Sequence, residues 1–355
     1  MNLGVIGANG YTGQALLSVL AGRPGDPVTL VTSRGDQGKR LAGLHPSLDG
    51  CPAYKDLILE HPDSLERVAK EEPGRFPGLF LLCVTHGASM ALVPRLLALG
   101  ARVIDLTGDF RLRDPALYPK WYGTRHPEPG LLGEAVYGLP ELHREGIRGA
   151  RLVANPGCYP TSAILALAPL AKAGILDPDK PVIADSKSGV SGAGRKAQVE
   201  YSYCELNDNL KSYKTVGHQH TPEIAQGLSH FLGRTPRVSF TPHLIPLSRG
   251  ILTTCYAWLR PGASPEPVPG LYASFCENEP FLRFRGIGAG LSTLDVRGTN
   301  FCDLSVSLDP EAGLVKAVSV IDNLARGAVT QAVANLNIML GEPEGLGIPM
   351  AAFRP

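Results

Sequence analysis

The feature that most constrains the fold is a series of three evenly spaced glycines close to the N-terminus. Residues 3–7 are apolar and end in Gly7, and Gly10 and Gly13 follow before residues 14–20, whose apolar side chains recur at helical spacing. A glycine-rich turn between a strand and a helix can be a simple tight connection. It is also typical of a dinucleotide site, where backbone amides and a helix N-terminus bind pyrophosphate. The sequence therefore predicts cofactor contacts from Gly7, Asn9, Gly10, Tyr11, Thr12 and Gly13.

More strand and helix patterns follow this turn. Apolar runs at residues 28–32, 79–84 and 102–106 have the length of buried strands, and a helical pattern separates the last two. Alternating strands and helices indicate a doubly wound parallel sheet of the Rossmann type. We therefore predict an α/β cofactor-binding domain over residues 1–157.

The pattern changes after residue 157. β-rich segments with short or polar connections indicate a mixed or antiparallel sheet, so we predict an α+β domain for catalysis and oligomerisation over residues 158–321. These segments are residues 237–245, 251–259, 293–296, 301–308 and 314–320. Asp322 and Asn323 then provide an N-cap for a final helix over residues 324–340.

The end of the second predicted strand bears on the type of cofactor. NAD sites usually have an acidic residue there that binds the ribose 2′-hydroxyl. This chain has Ser33 and Arg34, a hydroxyl and a cation that suit a 2′-phosphate. The pair favours NADP(H), and the alternative is an arginine simply exposed in a loop.

Charge and cysteine content exclude several classes of protein. Lys and Arg total 34 against 33 Asp and Glu, so bulk electrostatics favour neither a nucleic acid nor a membrane partner. No apolar run approaches the ~18 residues of a membrane span, and the first residues do not resemble a signal peptide. The seven cysteines are widely spaced without a Cys-x-x-Cys pair, so we expect neither a disulfide framework nor a zinc site. The prediction is a protein of the reducing cytoplasm.

One cysteine has an unusual position. Cys158 follows the apolar residues 152–154 and the Asn155-Pro156-Gly157 turn, and it precedes an apolar helical pattern. Amides at a helix N-terminus favour a thiolate and can bind a developing oxyanion. Cys158 is thus a candidate nucleophile, although many single cysteines are only small buried hydrophobic residues.

A histidine pair offers a proton acceptor. His218 and His220 precede a predicted helix in which Thr221 is the N-cap, and Glu223 lies one position beyond Pro222. An imidazole can take the proton of a thiol, and a carboxylate can orient the ring. The two histidines can instead be metal ligands or structural residues, but no further motif completes a metal site, and we predict none.

Two further loops suit an anion. Residues 186–196 are rich in hydroxyls and backbone amides and end in two cations. We assign Ser188 and Gly189 to the cofactor, and Ser191, Arg195 and His218 to the substrate or its phosphate. Arg111 follows another parallel strand and either binds phosphate or carboxylate or pairs with Asp105 or Asp109.

Together these segments resemble the N-acetyl-γ-glutamyl-phosphate reductase family, within the aspartate-semialdehyde dehydrogenase-like superfamily. The Cys158 segment and the Gly-His-x-His-x-Pro-Glu segment are the most specific, whereas the glycine turn is common to many enzymes. Thr107 and Gly108 replace the family's Ser-Ala, which affects only local packing. The matching segments follow the family's order over nearly the whole chain: residues 7–13, 105–111, 155–161, 188–195, 217–224 and 322–324.

The resemblance implies roles for these residues. It implies NADPH as the cofactor, Cys158 as the nucleophile, His220 as the base and Glu223 as a nearby carboxylate. It also implies that residues 322–355 complete the first domain, with Asn323 near the nicotinamide. The family suggests a homodimer or homotetramer.

The implied reaction reduces N-acetyl-L-glutamyl 5-phosphate to N-acetyl-L-glutamate 5-semialdehyde and phosphate through a cysteine thioester, in arginine biosynthesis. The substrate is then a small-molecule acyl phosphate. Two alternatives keep this chemistry on another acyl phosphate, either carrier-bound aminoadipyl phosphate of lysine biosynthesis or aspartyl phosphate. A more distant alternative is a regulator that binds NADP without turnover.

Overall fold

The computed structural model describes residues 1–352, which form two compact units. The first unit comprises Met1–Tyr118, Thr124–Pro156 and Ala328–Ile348, and the main ranges of the second are Pro119–Gly123 and Gly157–Gly327. The chain thus passes into the second unit after Pro156 and returns at residue 328. The sequence-based division places these passages after residues 157 and 321.

The strands of the first unit form one parallel sheet. They are β1 (Leu3–Ile6), β2 (Val28–Thr32), β3 (Leu59–Glu60), β4 (Leu79–Leu82), β5 (Arg102–Asp105), β6 (Val136–Tyr137) and β7 (Leu152–Ala154). Their order across the sheet is β3-β2-β1-β4-β5-β7-β6, and all neighbours are parallel. The order reverses between β1 and β4, and such switch points are where open α/β sheets bind ligands. The predicted doubly wound sheet is confirmed.

Helices accompany both sheets along the chain. They are α1 (Tyr11–Ala21), α2 (Leu41–Leu44), α3 (Leu65–Glu71), α4 (Ser89–Ala98), α5 (Leu117–Tyr122), α6 (Pro129–Glu134), α7 (Pro140–Gly149), α8 (Cys158–Lys172), α9 (Tyr203–Leu206), α10 (His220–Leu232), α11 (Val268–Glu277) and α12 (Thr330–Leu340). Every residue of β1 and β4 is buried, because a parallel strand at the centre of a doubly wound sheet is covered on both faces. Within residues 1–352, no helix has the length and apolar character that a membrane crossing requires.

The second unit contains a mixed sheet. Its strands are β8 (Val182–Ser188), β9 (Lys211–Ser212), β10 (Val238–Leu244), β11 (Ile251–Ala257), β12 (Leu282–Ile287), β13 (Cys302–Asp309) and β14 (Leu314–Ile321). Their order is β12-β13-β14-β11-β8-β10-β9. The β8–β10 and β12–β13 pairs are parallel and the other neighbours antiparallel, which confirms the mixed sheet.

Several strand assignments from the sequence differ from this structure, and the strands β3, β6, β9 and β12 were not predicted. The segment predicted as a strand at residues 293–296 forms a 3₁₀ turn, Thr293–Asp295. The central strand β8 was missed, because its polar residues resemble a loop. In the structure Ser186 is fully buried, and its hydroxyl lies 2.8 Å from the Thr253 hydroxyl of β11, which satisfies its hydrogen bonding.

The final helix begins differently from the prediction. A π-helical turn, Ala325–Val329, precedes α12. Asp322 provides the predicted cap, since its Oδ1 accepts the amides of Leu324 and Ala325 at 2.9 Å each.

A pair of buried carboxylates follows β5. Asp105 and Asp109 are fully buried, and the Ser89 hydroxyl contacts both, at 3.0 and 2.7 Å. Thr107 donates its amide and its hydroxyl to Asp105, and the Gly87 amide contacts both oxygens of Asp109 at 2.8 Å. Burial, and then the charge of Asp109, raise the pKa of Asp105 to about 6.

This raised pKa predicts how Asp105→Asn changes stability with pH. The folded protein holds the Asp105 proton more tightly than the unfolded chain does, so its contribution to stability is lost as pH rises from about 4 to about 6. The variant escapes this loss. Relative to wild type, its free energy of unfolding should rise by up to about 3 kcal/mol between pH 4 and pH 8.

Urea unfolding of both proteins at the two pH values measures this difference. Asp56→Asn, at a carboxylate on the surface, is the matched control. An Asp105→Asn variant whose stability relative to wild type does not change with pH would contradict the assignment.

Candidate active site

Cys158 is the first residue of α8, as the sequence predicted for a strand-to-helix turn. Gly157 is the N-cap residue, and its carbonyl accepts both the amide and the hydroxyl of Thr161, at 3.0 and 2.9 Å. Residues Tyr159 to Ala171 are all buried, so the start of this helix is held firmly in the second unit. The position places the sulfur at the positive end of the helix dipole, which favours a thiolate.

Glu223 joins the cysteine turn to the histidine segment. Its side chain is fully buried, and Oε1 accepts the Gly157 amide at 2.8 Å. Its other oxygen, Oε2, lies 4.0 Å from Nε2 of His220. One carboxylate thus faces both the residue before the candidate nucleophile, Cys158, and the candidate base, His220. A carboxylate so placed stabilises a protonated imidazole.

His218 and His220 differ in their surroundings. The Nδ1 atom of His218 accepts the His220 amide at 3.1 Å. His220 is the first residue of α10 rather than a residue before it, and the N-cap position is Gln219 instead of the predicted Thr221. Burial, and then the charge of Lys214, lower the pKa of His218 to about 4. At neutral pH His218 is uncharged, and with Nδ1 accepting, its proton is on Nε2.

Two tyrosines near these rings were missed by the sequence analysis. The Tyr159 and Tyr213 hydroxyls are 3.0 Å apart, and both rings pack edge-on against His218, with centroids 5.9 and 5.7 Å away. Burial raises the pKa of each phenol, and the nearby Cys158 raises both further. Tyr213 lies far from Cys158 in sequence, so no local motif could have revealed it.

The loop after β8 is held by its neighbours. The Gly189 amide donates to Gly250 O at 2.8 Å, and a Cβ on Gly189 would lie 2.8 Å from backbone atoms of residues 247–249. Asn323 accepts the Gly250 amide at 2.7 Å and donates to the Ser191 hydroxyl at 2.9 Å. The structure therefore brings the predicted Ser191 and Asn323 together. Arg195 is exposed beyond this loop, and the Ser188 hydroxyl donates to Gly189 O.

The glycine turn of the first unit fits a pyrophosphate. Gly7 has φ +86°, and a Cβ there would lie 2.3 Å from Cys83 O, while a Cβ on Gly13 would lie 2.4 Å from Gly7 O. Gly7 and Gly13 thus permit the tight packing of the turn. Gly10, the N-cap residue of α1, has only Gly7 O within 4 Å of its Cβ position, at 3.9 Å. The backbone is therefore accessible at the helix N-terminus, where a phosphate would bind.

The end of β2 holds a carboxylate that the sequence analysis overlooked. Ser33 is buried and Arg34 is exposed, as their positions after the strand predict. Asp36 lies beside them and accepts the side-chain amide of Asn9, at 2.9 Å. The prediction of the cofactor type considers only the residues directly after the strand. The signal for Asp36 lies in the same segment, Ser-Arg-Gly-Asp, three residues beyond Ser33.

Arg111 is buried and contacts backbone carbonyls of its own unit. Its Nε donates to Asn155 O at 2.7 Å, and Nη2 donates to Leu106 O at 3.0 Å. These contacts fix the segment that precedes the cysteine turn. They favour the structural alternative for Arg111, through contacts with backbone carbonyls.

Gly327 approaches Cys158 closely. A Cβ on this glycine would lie 2.6 Å from Cys158 Cβ and 3.1 Å from its Cα. Gly327 belongs to the π-helical turn Ala325–Val329, and such turns are frequent at functional sites. Only glycine allows the turn to lie against Cys158 in this way.

Comparison with known families covers nearly the whole chain. Residues 2–150 match the family described as "Semialdehyde dehydrogenase, NAD binding domain", and residues 158–323 match "Semialdehyde dehydrogenase, dimerisation domain". The chain is 47% identical over 355 residues to an N-acetyl-gamma-glutamyl-phosphate reductase from Syntrophobacter fumaroxidans, with 100% of both chains covered. It is 48% identical over 349 residues to the reductase of that name from Geobacter metallireducens, with 98% of each covered.

Solved structures of similar fold share much less sequence. Aspartate semialdehyde dehydrogenase II from Vibrio cholerae, complexed with ASA, aligns with a TM-score of 0.69 at 18% identity, over 96% of this chain and 98% of that one. The aspartate semialdehyde dehydrogenase with NADP from Candida albicans gives 0.70 at 14% identity and the same coverage. At such identity these structures support the fold alone.

The close approach of Gly327 predicts the effect of adding one methyl group. Gly327→Ala should lower the free energy of unfolding by about 1–3 kcal/mol through overpacking. It should also slow the alkylation of Cys158 by iodoacetamide, because the displaced thiol leaves its position at the helix end. Urea unfolding and mass spectrometry measure the two effects.

Two further variants test the cause. Gly130→Ala, in α6, is the matched control, since nothing lies within 4 Å of its Cβ position. Cys158→Gly removes the Cβ that would clash, so Gly327→Ala should cost less in that background. An equal cost in both backgrounds would show that Cys158 is not what requires the glycine.

Proposed function

The chain belongs to the N-acetyl-gamma-glutamyl-phosphate reductase family, and we propose that it reduces N-acetyl-L-glutamyl 5-phosphate with NADPH. The products are N-acetyl-L-glutamate 5-semialdehyde and phosphate, as required for arginine biosynthesis in the cytoplasm. One observation carries the proposal: Glu223 faces both the Gly157 amide, which precedes Cys158, and the His220 ring. This arrangement supports a thiol nucleophile with a histidine base.

Cys158 acts first in the proposed mechanism. Its thiolate attacks the 5-acyl carbon of the substrate, a C–S bond forms, and the C–O bond to phosphate breaks. The product of this step is a thioester on Cys158, which holds the acyl group in place while phosphate leaves. NADPH, when bound, supplies the hydride that reduces this acyl group. Collapse of the resulting thiohemiacetal on Cys158 releases the semialdehyde and restores the thiolate.

His220 moves the proton in this mechanism. It accepts the thiol proton of Cys158 and gives it to the departing phosphate, and Glu223 stabilises the imidazolium between these steps. The thiohemiacetal forms as an alkoxide, which expels the Cys158 thiolate without a further proton. His218 remains neutral because its pKa is low, and its Nδ1 is engaged by the His220 amide. We therefore assign the proton transfer to His220 and substrate contact, through Nε2–H, to His218. Amides at the start of α8 favour the developing oxyanion.

The cofactor assignment rests on the first unit. The accessible Gly10 at the start of α1 suits the pyrophosphate. Ser33 and Arg34 provide a hydroxyl and a cation for the 2′-phosphate of NADPH. The match to an NAD binding domain and the NADP named with the Candida albicans enzyme support this assignment.

The second unit matches a family described as a dimerisation domain, which supports a homo-oligomeric enzyme. We propose a homodimer or homotetramer. Size-exclusion chromatography with light scattering determines which assembly forms, and a monomer at micromolar concentration would contradict both.

A substrate panel tests the reaction. In the oxidative direction, the enzyme should reduce NADP⁺ with N-acetylglutamate semialdehyde only when phosphate or an analogue is present. Aspartate semialdehyde is the control, because it shares the chemistry and differs in the acyl chain. Faster turnover of aspartate semialdehyde would replace the proposed substrate, whereas cofactor binding without any turnover would favour the regulator.

Substitutions separate the roles of Cys158 and His220. Cys158→Ser should bind NADPH normally and lose almost all turnover, because a hydroxyl is a far poorer nucleophile than an ionised thiol. His220→Asn should lower turnover by roughly 10²–10⁴-fold, as expected for a general acid–base group. The pH profile of Cys158 alkylation should shift upward in the His220 variant. Wild-type turnover in Cys158→Ser would rule out the thioester.

A further substitution tests whether Arg34 binds the 2′-phosphate. Arg34→Asp removes a cation and adds a repulsive charge, so NADPH should bind more weakly while NADH binding changes little. Fluorescence titration with each cofactor measures the two affinities. Unchanged or stronger NADPH binding would show that Arg34 does not contact the phosphate.

A further inference from the structure

Three hydrogen-bond donors converge on the carboxylate of Asp36. The Asn9 side-chain amide donates to Oδ2 at 2.9 Å, and the Ser33 hydroxyl approaches the same oxygen at 3.4 Å. The Lys39 ammonium donates to Oδ1 at 2.8 Å. The Asp36 side chain is only 18% exposed. It is thus held among these donors and does not project into solvent.

Two of the donors come from the elements that surround a dinucleotide ribose. Asn9 belongs to the glycine turn between β1 and α1, and Ser33 directly follows β2. In doubly wound folds, the ribose 2′ position lies between this turn and the end of the second strand. An amide, a hydroxyl and an ammonium group are also the kinds of donor that bind a phosphate. The Asp36 carboxylate therefore occupies a set of donors that would suit the 2′-phosphate.

Asp36 is ionised at neutral pH. Hydrogen bonds from Lys39 and then from Asn9 lower its pKa below the ordinary value. A carboxylate can accept a ribose 2′-hydroxyl, but it repels a 2′-phosphate. The same site thus holds cations that favour NADPH, Arg34 and Lys39, and one anion that opposes it.

We propose that the Asp36 carboxylate competes with the 2′-phosphate of NADPH for the same donors, Asn9, Ser33 and Lys39. This competition weakens NADPH binding, so the enzyme retains use of NADH. Binding of a 2′-phosphorylated nucleotide requires the Asp36 side chain to turn away and release these donors. A nucleotide with a free 2′-hydroxyl leaves Asp36 in place. This inference rests on the proposed function in one respect, namely that the glycine turn binds a nicotinamide dinucleotide.

Calorimetric titration of Asp36→Asn with adenosine 2′,5′-bisphosphate and with 5′-AMP tests the proposal without catalysis. The bisphosphate should bind about tenfold more tightly than to wild type, since a unit charge close to the phosphate is removed. Binding of 5′-AMP should be unchanged or weaker. The gain should shrink as potassium chloride is raised from 0.05 to 0.5 M, because salt screens the repulsion.

Matched variants exclude a general charge effect. Glu145→Gln removes the same charge from α7, which follows β6 at the sheet edge opposite to β3, and Glu145 is 83% exposed. It should bind both probes as wild type does. Asp36→Ala is the second variant at the site and should show the same gain as Asp36→Asn. NADPH and NADH titrations of all four proteins should reproduce the order found with the probes.

The outcomes separate this inference from the proposed function. Unchanged or weaker bisphosphate binding in both Asp36 variants would overturn the role of Asp36 alone, as would an equal gain in Glu145→Gln. Wild-type protein that binds neither probe nor either cofactor would overturn it together with the nucleotide site. Loss of the thioester chemistry, tested at Cys158, would leave the binding result standing.

Discussion

The hydrogen bond from the Gly157 amide to Glu223 is the interaction on which the rest of the site depends. It joins the N-terminus of α8, where Cys158 lies, to the first turn of α10, which carries His220. A charged acceptor in a buried place makes such a bond strong, and losing it would leave a carboxylate without its solvation. The two helices also approach very closely, since a Cβ on Gly227 would lie 2.3 Å from Ile164 Cδ1. One polar contact and one glycine therefore help to hold Cys158 and His220 in their positions.

Local motifs predicted much of this arrangement. The glycine turn, the cysteine at a helix start and the histidine–glutamate segment each depend on residues that are near in sequence. The structure places the glycine turn and Cys158 between a strand and a helix, as predicted, and Glu223 in the predicted helix. The predicted start of α10 was wrong by two residues, because the N-cap is Gln219 and not Thr221, and the His218 ring accepts the amide of His220, the first helical residue. A side chain that caps through a ring nitrogen has no simple sequence signal.

Contacts between segments that are distant in sequence could not be predicted from the sequence. Tyr213 meets Tyr159 and His218 only because β9 pairs with β10. Strand β8 was not recognised as a strand, because its buried Ser186 hydroxyl has a partner on β11 that no local sequence pattern reveals. Asn323 was predicted in part. The family resemblance indicated that it is a site residue, but only the structure shows its contacts with Gly250 and Ser191, which hold the loop after β8.

The chain leaves the first unit after residue 156 and returns to it at residue 328, and the residues at these two points contact each other. Within the first unit, the Asn155 side chain donates to Ala328 O at 3.1 Å, and within the second unit Gly327 packs against Cys158. Residues 157–327 thus have the topology of an insertion whose ends meet, which is the arrangement that lets a domain be inserted into a host without rerouting it. Because its ends lie together, such a segment can be replaced without rerouting the first sheet. Cys158 is the second residue of this segment, so the candidate nucleophile would be exchanged with the segment and not with the first sheet.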